Sequence, residues 1–272
     1  MVTTGWKVYN PSGEKRVLVT KELPGDEWLK ILAGADARIE YGTETRILST
    51  KEIESAIAEE CHGAIGQLTE SWDGVLFEAL QKAGGTVYSN YAVGYDNVDV
   101  EAATTRGIAV GNTPGVLTEA TAEMAVALTL SAARRIPEAD VFMRAGEYDG
   151  WLPTLFLGEL LSRKIVGVVG AGRIGSAFAA MMVQAFKMDL VYFDTDPNLE
   201  LENRLHRFSK SLKEYGEAPT RVRRAATIDE VLTESDVVSL HLPLDESTRH
   251  LINRERLALM KKNAILVNTS RG

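Results

Sequence analysis

The run Ile165-Val166-Gly167-Val168-Val169-Gly170-Ala171-Gly172-Arg173-Ile174-Gly175 decides how the rest of the chain is read. Its first five residues carry no polar side chain, which suits a strand covered on both faces in the middle of a parallel sheet. Three glycines in G-x-G-x-x-G order follow and lead into a helical run. Gly170 permits the tight turn out of the strand. Gly172 lets the backbone approach a pyrophosphate with no Cβ in the way, and Gly175 lets the helix lie close on the strand. A helix opening at Arg173 and Ile174 would present free N–H groups and a positive dipole end to phosphate. Glycines alone would fit any tight turn; a strand before and a helix after make them a dinucleotide-binding signal.

Downstream, Leu190–Asp194 reads as the next strand, closed by Asp194, 19 residues beyond Gly175. A carboxylate there accepts hydrogen bonds from both ribose hydroxyls of an adenosine. It also repels a 2′-phosphate, and Asp196 adds to the repulsion, so NAD is the expected cofactor and NADPH is disfavoured. Val237–Leu240 and Ala264–Asn268 continue the strand pattern. In the charged stretch before them, Leu201, Leu205, Phe208, Leu212 and Tyr215 are spaced 4, 3, 4, 3. That spacing makes one apolar helix stripe, read as a surface helix docked on the domain, with a partner-binding helix as the alternative. Leu242-Pro243 follows the Val237 strand at the carboxyl edge of the sheet, where folds of this kind bind ligands.

Upstream, Arg38–Tyr41, Gly63–Gln67, Thr86–Asn90 and Ile108–Val110 read as short strands, with Lys51–Glu60 and Gly74–Lys82 as intervening helices. The alternation predicts an α/β protein with parallel sheets covered by helices. A long helix is expected from Thr118, taken as its N-cap, with Glu119 in the first turn. Glu123–Leu130 is nearly all apolar and is expected to be buried, and Pro137 should break the helix. At 272 residues the chain is long enough for two domains on a prior of about 100–200 residues each. The expected division is 1–117 and 118–272.

A nucleic-acid binder would normally show a basic face, and the formal net charge of -8 argues against one, with local basic patches left open. No apolar run reaches the ~18 residues of a membrane helix, and Met1–Asn10 has no secretory pattern. No metal site is expected. Cys61 is the one cysteine, so it has no intrachain partner and is expected to be a small buried hydrophobe. The expected partner is a small molecule.

Several further segments, in order, carry a resemblance. They are Gly66-Gln67-Leu68-Thr69-Glu70, Ser89-Asn90-Tyr91-Ala92-Val93-Gly94-Tyr95-Asp96-Asn97-Val98-Asp99-Val100, Gly111-Asn112-Thr113-Pro114-Gly115-Val116-Leu117-Thr118-Glu119, Gly150-Trp151-Leu152-Pro153 and Ile265-Leu266-Val267-Asn268-Thr269-Ser270-Arg271-Gly272. With the glycine run, they make the chain resemble the D-isomer-specific 2-hydroxyacid dehydrogenases. Within that family it is similar to the plant-type peroxisomal branch that reduces hydroxypyruvate with NADH. The resemblance implies a flavodoxin-like substrate domain followed by a Rossmann NAD-binding domain, with the active site in the cleft. It implies that backbone N–H groups at Val93 and Gly94 receive the substrate carboxylate. It implies that Arg271 is the catalytic arginine, gripping a 2-oxo acid and stabilising the charge that develops on its carbonyl oxygen. Thr121, in Thr121-Ala122-Glu123, matches a segment beside the nicotinamide; the other reading is an interior helix residue with no ligand contact. Gly170, Gly172, Arg173, Ile174, Gly175, Asp194, Leu242, Pro243, Thr269, Ser270 and Arg271 make up the rest of the expected cofactor contacts. A homodimer, and a peroxisomal rather than cytoplasmic location, are implied in the same way.

The family pattern has a glutamate and a histidine after its arginine, and no residue here matches either. The expectation is therefore a C-terminally truncated chain, with the NAD domain incomplete and activity reduced. Two other readings stand beside the enzyme: a non-catalytic NAD-binding or interaction module, and a phosphoglycerate- or formate-type relative. His241 adjoins Leu242 but is read as non-catalytic; His62, His206 and His250 have no motif support. Trp151 lines a cleft or a subunit contact, or else anchors a packed linker.

Overall fold

In the computed structural model, residues 5–271 are described. The first four residues of the Met1–Asn10 segment, and Gly272, lie outside them. Contacts divide the chain into two units that meet between Val116 and Leu117, one residue before the expected boundary.

The first unit contains, in order, β1 (Trp6–Tyr9), β2 (Lys15–Val19), α1 (Glu27–Gly34), β3 (Ala37–Gly42), α2 (Thr50–Ile57), β4 (Gly63–Gln67), α3 (Gly74–Lys82), β5 (Val87–Tyr91), α4 (Val100–Thr105) and β6 (Ala109–Gly111). Its sheet runs β1-β3-β2-β4-β5-β6. All pairs are parallel except β1 with β3. Without β1, the order by chain position is 2-1-3-4-5, the flavodoxin-like arrangement. Helices cover both faces. Leu18, Ile53, Ile57, Leu76 and Leu80 pack on one side, and Val19, Ile39 and Tyr41 meet the α1 side chains Leu29 and Leu32 on the other. Cys61 is fully buried in the first of these clusters, as expected.

Local chemistry fixes the helix ends. Ser49 and Glu52 form a reciprocal capping box at the start of α2. The helix stops at Ile57, earlier than the expected Glu60, because Ala58 takes a left-handed φ of 54°. Asp73 and Asp99 cap α3 and α4 through their carboxylates. The antiparallel edge strand β1 carries no alternation strong enough to signal it, with three of its four residues exposed.

The second unit contains α5 (Thr118–Ala133), α6 (Ile136–Arg144), β7 (Ile165–Val169), α7 (Arg173–Phe186), β8 (Asp189–Phe193), α8 (Leu199–Glu214), β9 (Val222–Arg224), α9 (Ile228–Glu234), β10 (Val237–Leu240), α10 (Arg254–Leu259) and β11 (Ile265–Asn268). The sheet is wholly parallel in the order β11-β10-β7-β8-β9. Counted within the unit, that is the Rossmann order 3-2-1-4-5. β7 is central, as its apolar sequence required.

Four expectations need correction here. Leu117, not Thr118, holds the N-cap position of α5, and no side chain caps that end. The Glu123–Leu130 stretch is only half buried: Ala125 and Thr129 face the core while Met124 and Leu128 are exposed. The small residues Ala122, Ala125, Thr129 and Ala133 form the inward stripe, so apolar composition alone misjudged the face. Along α8, Leu201, Leu205 and Leu212 are buried, but Tyr215 falls beyond the last turn and is exposed. Ser209 takes an inward place, donating its hydroxyl to Thr220 O at 2.6 Å. Finally, β8 ends at Phe193, so Asp194 is the first residue past the strand rather than its last.

Phe178 on α7 is fully buried in the main cluster of this unit, with Val168, Met182 and Leu190. Phe178→Ala should cost about 3–5 kcal/mol in chemical denaturation. A loss under 1 kcal/mol would show that this cluster does not hold the unit together.

Candidate cofactor and substrate site

The chain order of the second sheet reverses between β7 and β10, which opens a crevice at their carboxyl ends. Gly170 sits there with φ 91°, and its N–H donates to Phe193 O at 2.9 Å. A Cβ at Gly170 would lie 2.6 Å from His241 O, so the turns after β7 and β10 touch. A Cβ at Gly175 would lie 2.0 Å from Gly170 O. Only glycine allows α7 to start this close to its strand.

Gly172 differs from both. It holds the N-cap position of α7, no side chain caps the helix, and nothing lies within 4 Å of where its Cβ would be. Free N–H groups in the turn of Arg173 and Ile174 thus face open space. That is the geometry a diphosphate needs, and the residues present fit the cofactor.

Asn198, which sequence reasoning passed over, braces this turn. Its Nδ2 donates to Ala171 O at 2.7 Å and Ser176 Oγ at 3.0 Å. Its Oδ1 accepts from Leu201 N at 2.9 Å and caps α8. The available signal was an Asn just ahead of an apolar helix stripe.

The Asp194 carboxylate accepts from the Thr195 N–H at 2.7 Å, just past the end of β8. Arg224, also passed over, donates to Asp194 O at 3.0 Å and Thr195 O at 2.7 Å. The guanidinium fixes the backbone that carries the carboxylate.

At the other side of the crevice, Leu242, Pro243, Asn268, Ser270 and Arg271 line one groove. Ser270 is set by two bonds, its N–H to Asn268 Oδ1 at 2.8 Å and its hydroxyl to Leu240 O at 3.1 Å. Thr269 Oγ1 is buried with no hydrogen-bond partner among the described residues. Thr121 is half-buried on α5, which packs against α7 and β11. Val93 and Gly94 belong to the first unit, in the loop after β5. Trp151 is 79% exposed, so it anchors no packed linker.

His241 is not among the groove's lining residues. Its ring lies 5.3 Å from that of Phe178, and its Nε2 is 2.9 Å from Ser239 Oγ. Burial pushes its pKa from 6.5 down to about 4. A neutral, half-buried imidazole is a poor proton donor near neutral pH. Among the described residues no group of three or more His, Cys, Asp or Glu is placed to hold a metal, and no helix is long and apolar enough to cross a membrane.

Residues 126–272 match the family described as D-isomer specific 2-hydroxyacid dehydrogenase, NAD binding domain. The chain belongs to that family. It is 58% identical over 267 residues to a glycerate dehydrogenase of Cucumis sativus, covering 98% of this chain and 70% of the relative. Identity is 57% to a peroxisomal glycerate dehydrogenase of Arabidopsis thaliana, over 98% of this chain and 69% of that one. A glyoxylate reductase of Korarchaeum cryptofilum is 40% identical over 94% of this chain and 71% of its own length. Among solved structures, the TT0316 protein of Thermus thermophilus superposes with a TM-score of 0.81 at 39% identity, covering 94% of this chain and 74% of that one. The chain is thus an NAD-dependent dehydrogenase of D-2-hydroxyacids, and nothing in these relatives supports a purely non-catalytic module.

The depressed His241 pKa has a thermodynamic consequence. The unfolded chain takes up a proton near pH 6.5 and the folded one near 4, so the contribution is full above 6.5 and is lost as pH falls toward 4. His241→Gln should flatten the pH dependence of unfolding free energy across that window. An unchanged slope would contradict the burial.

Proposed function

We propose that this protein transfers hydride between NADH and the C2 ketone of a small 2-oxo acid. Hydroxypyruvate to D-glycerate is the main reaction, with glyoxylate to glycolate as a side activity. One observation carries the reading: an open, uncapped helix start, a fixed carboxylate and a groove ending in Arg271 all lie at the carboxyl edge of one parallel sheet. The choice of hydroxypyruvate leans on the identity to the cucumber relative.

NADH, when bound, supplies the hydride; the chain supplies position and charge. Backbone N–H groups from Gly172 to Gly175 hold the diphosphate, and the Arg173 and Ile174 side chains flank it. Asp194 accepts the ribose hydroxyls and disfavours a 2′-phosphate, so NADH is preferred to NADPH. Leu242, Pro243, Thr121, Thr269 and Ser270 are the residues that would hold the nicotinamide end. Arg271 grips the carboxylate and carbonyl oxygen of the substrate, where its fixed charge is worth most as negative charge builds on that oxygen. In the first unit, the Val93 and Gly94 N–H groups are the proposed donors to a substrate carboxylate. His241 is not the acid that protonates the nascent alkoxide.

The test is NADH oxidation by the purified protein, with hydroxypyruvate, glyoxylate and pyruvate compared. Hydroxypyruvate should have the highest kcat/KM, and Arg271→Ala should lower it by about 10²–10³. A higher kcat/KM for another 2-oxo acid would reject the substrate assignment and keep the class. An unaffected Arg271→Ala would reject the role of the arginine. Asp194→Ala should narrow the NADH preference by about tenfold, the ~1.4 kcal/mol of one charge-assisted hydrogen bond; an unchanged cofactor ratio would remove Asp194 from the site.

A homodimer and a peroxisomal location belong to the same proposal. The second rests on similarity to the Arabidopsis relative. For the first, Val141, Met143, Trp151, Leu157 and Leu160 are each more than half exposed on α6 and the segment after it, an apolar surface of the kind that marks an interface. Light scattering should give the mass of two copies, and Val141→Glu should give one. A monomeric parent protein would contradict it.

A further inference from the structure

The loop after β5 is held in an unusual way. Every peptide in the described chain is trans, so each carbonyl points opposite the N–H of the following residue. Three consecutive carbonyls of this loop are each bound by a specific donor. Thr113 N–H donates to Ala92 O at 2.9 Å. Asn112 Nδ2 donates to Val93 O at 2.8 Å, and Asn90 Nδ2 donates to Gly94 O at 2.9 Å. The N–H groups of Val93, Gly94 and Tyr95 are therefore each turned away from a fixed anchor. None of the three has an acceptor among the described residues.

Asn90 is itself locked. It is fully buried, its Oδ1 accepts from Tyr88 OH at 3.0 Å, and its Nδ2 also donates to Asn97 Oδ1 at 3.1 Å. Asn97 Nδ2 in turn donates to Gln67 O at 3.2 Å and Glu70 O at 2.9 Å at the end of β4. Glu70, 2% exposed, accepts from Thr20 Oγ1 at 2.8 Å and Gln67 N at 3.0 Å. Burial pushes its carboxyl pKa up. A chain of buried polar groups thus runs from the ends of β2 and β4 to one carbonyl of the loop. Such a network is costly where it is unsatisfied, as at Glu70 Oε1, which is buried with no hydrogen-bond partner among the described residues, and here it ends on the backbone rather than on another side chain.

We propose that Asn90 and Asn112 are positioning residues for the substrate carboxylate: by fixing the carbonyls of Gly94 and Val93, they hold the Tyr95 and Gly94 N–H groups aimed outward as anion donors. This rests on the reading that the Val93–Gly94 loop receives the carboxylate. Asn90, at the buried end of the network, sets the loop relative to the sheet. Asn112, exposed on the segment after β6, sets it from the other side.

The test uses oxamate, a non-reacting analogue of a small 2-oxo acid, titrated by calorimetry into NADH-saturated protein. Backbone hydrogen exchange at residues 93–95 is followed with and without oxamate. Asn112→Ala and Asn90→Asp should each weaken oxamate binding about three- to tenfold, the range of one lost hydrogen bond. NADH affinity should stay within about twofold, and exchange at 93–95 should speed up in the absence of ligand. If buried Asn90→Asp fails to fold, exposed Asn112→Ala still decides the matter. Oxamate that protects 93–95 yet binds both variants as tightly as the parent overturns the positioning role alone. Oxamate that binds without protecting 93–95 overturns the loop reading beneath it. A parallel loss of NADH affinity reduces both asparagines to structural roles and also overturns the proposal.

Discussion

A phosphate can reach the start of α7 only if no side chain stands at Gly172 and nothing else caps the helix. Both conditions hold here, and the surrounding structure serves them. Gly175 brings α7 down onto β7 with a carbonyl 2.0 Å from where a Cβ would be. Gly170 turns the chain with a positive φ against the backbone of the β10 turn. Asn198 then ties the turn to the cap of α8. An unsatisfied helix terminus costs stability in an unliganded protein, because its N–H groups lack partners other than water. Retaining one amid so much bracing is what a site built for an anion looks like.

Both units present their candidate groups at the carboxyl ends of parallel strands, but they do so by different means. In the Rossmann unit the donors belong to a helix, and their direction follows from the helix axis. In the first unit the loop after β5 has no such axis. Its N–H groups gain direction because the Thr113 N–H and two side-chain amides fix the carbonyls between them. A rigid loop without regular structure needs a buried polar network, and the residues from Thr20 to Asn97 supply one. The raised Glu70 pKa is a consequence of that arrangement, since a carboxyl deep in the network has lost most of its water.

Much of this was legible in the sequence, for identifiable reasons. The β7 strand, the glycine turn and α7 were readable because each residue obeys a local rule: no polar side chain in the strand, no Cβ in the turn, helical spacing afterwards. The α/β alternation was readable from apolar runs, and the flavodoxin-like order only from the resemblance, since pairing order leaves no local mark. β1 was invisible because an exposed antiparallel edge strand needs no apolar face. The inward face of α5 was misjudged because its buried stripe is alanine and threonine, while larger Met124 and Leu128 point out. Asp194 was found but placed one residue inside the strand, since the apolar run that marks β8 does not fix the residue at which its pairing stops. Asn198, Arg224, Asn90 and Asn112 were missed as site residues because each acts by holding backbone. Their partners lie as far away as Asp194, 30 residues from Arg224, and only the fold brings them together.

The account stands on the diphosphate being held by the backbone at Gly172. The most direct measurement is a calorimetric titration of NADH into the parent protein and into Gly172→Val, which fills the open space while leaving the strand and the helix in place. The parent should bind, and the variant should lose affinity by at least about 100-fold, near 2.7 kcal/mol, with an unchanged unfolding transition. Equal affinity in a folded variant, or a parent protein that gives no heat with NADH, would contradict it.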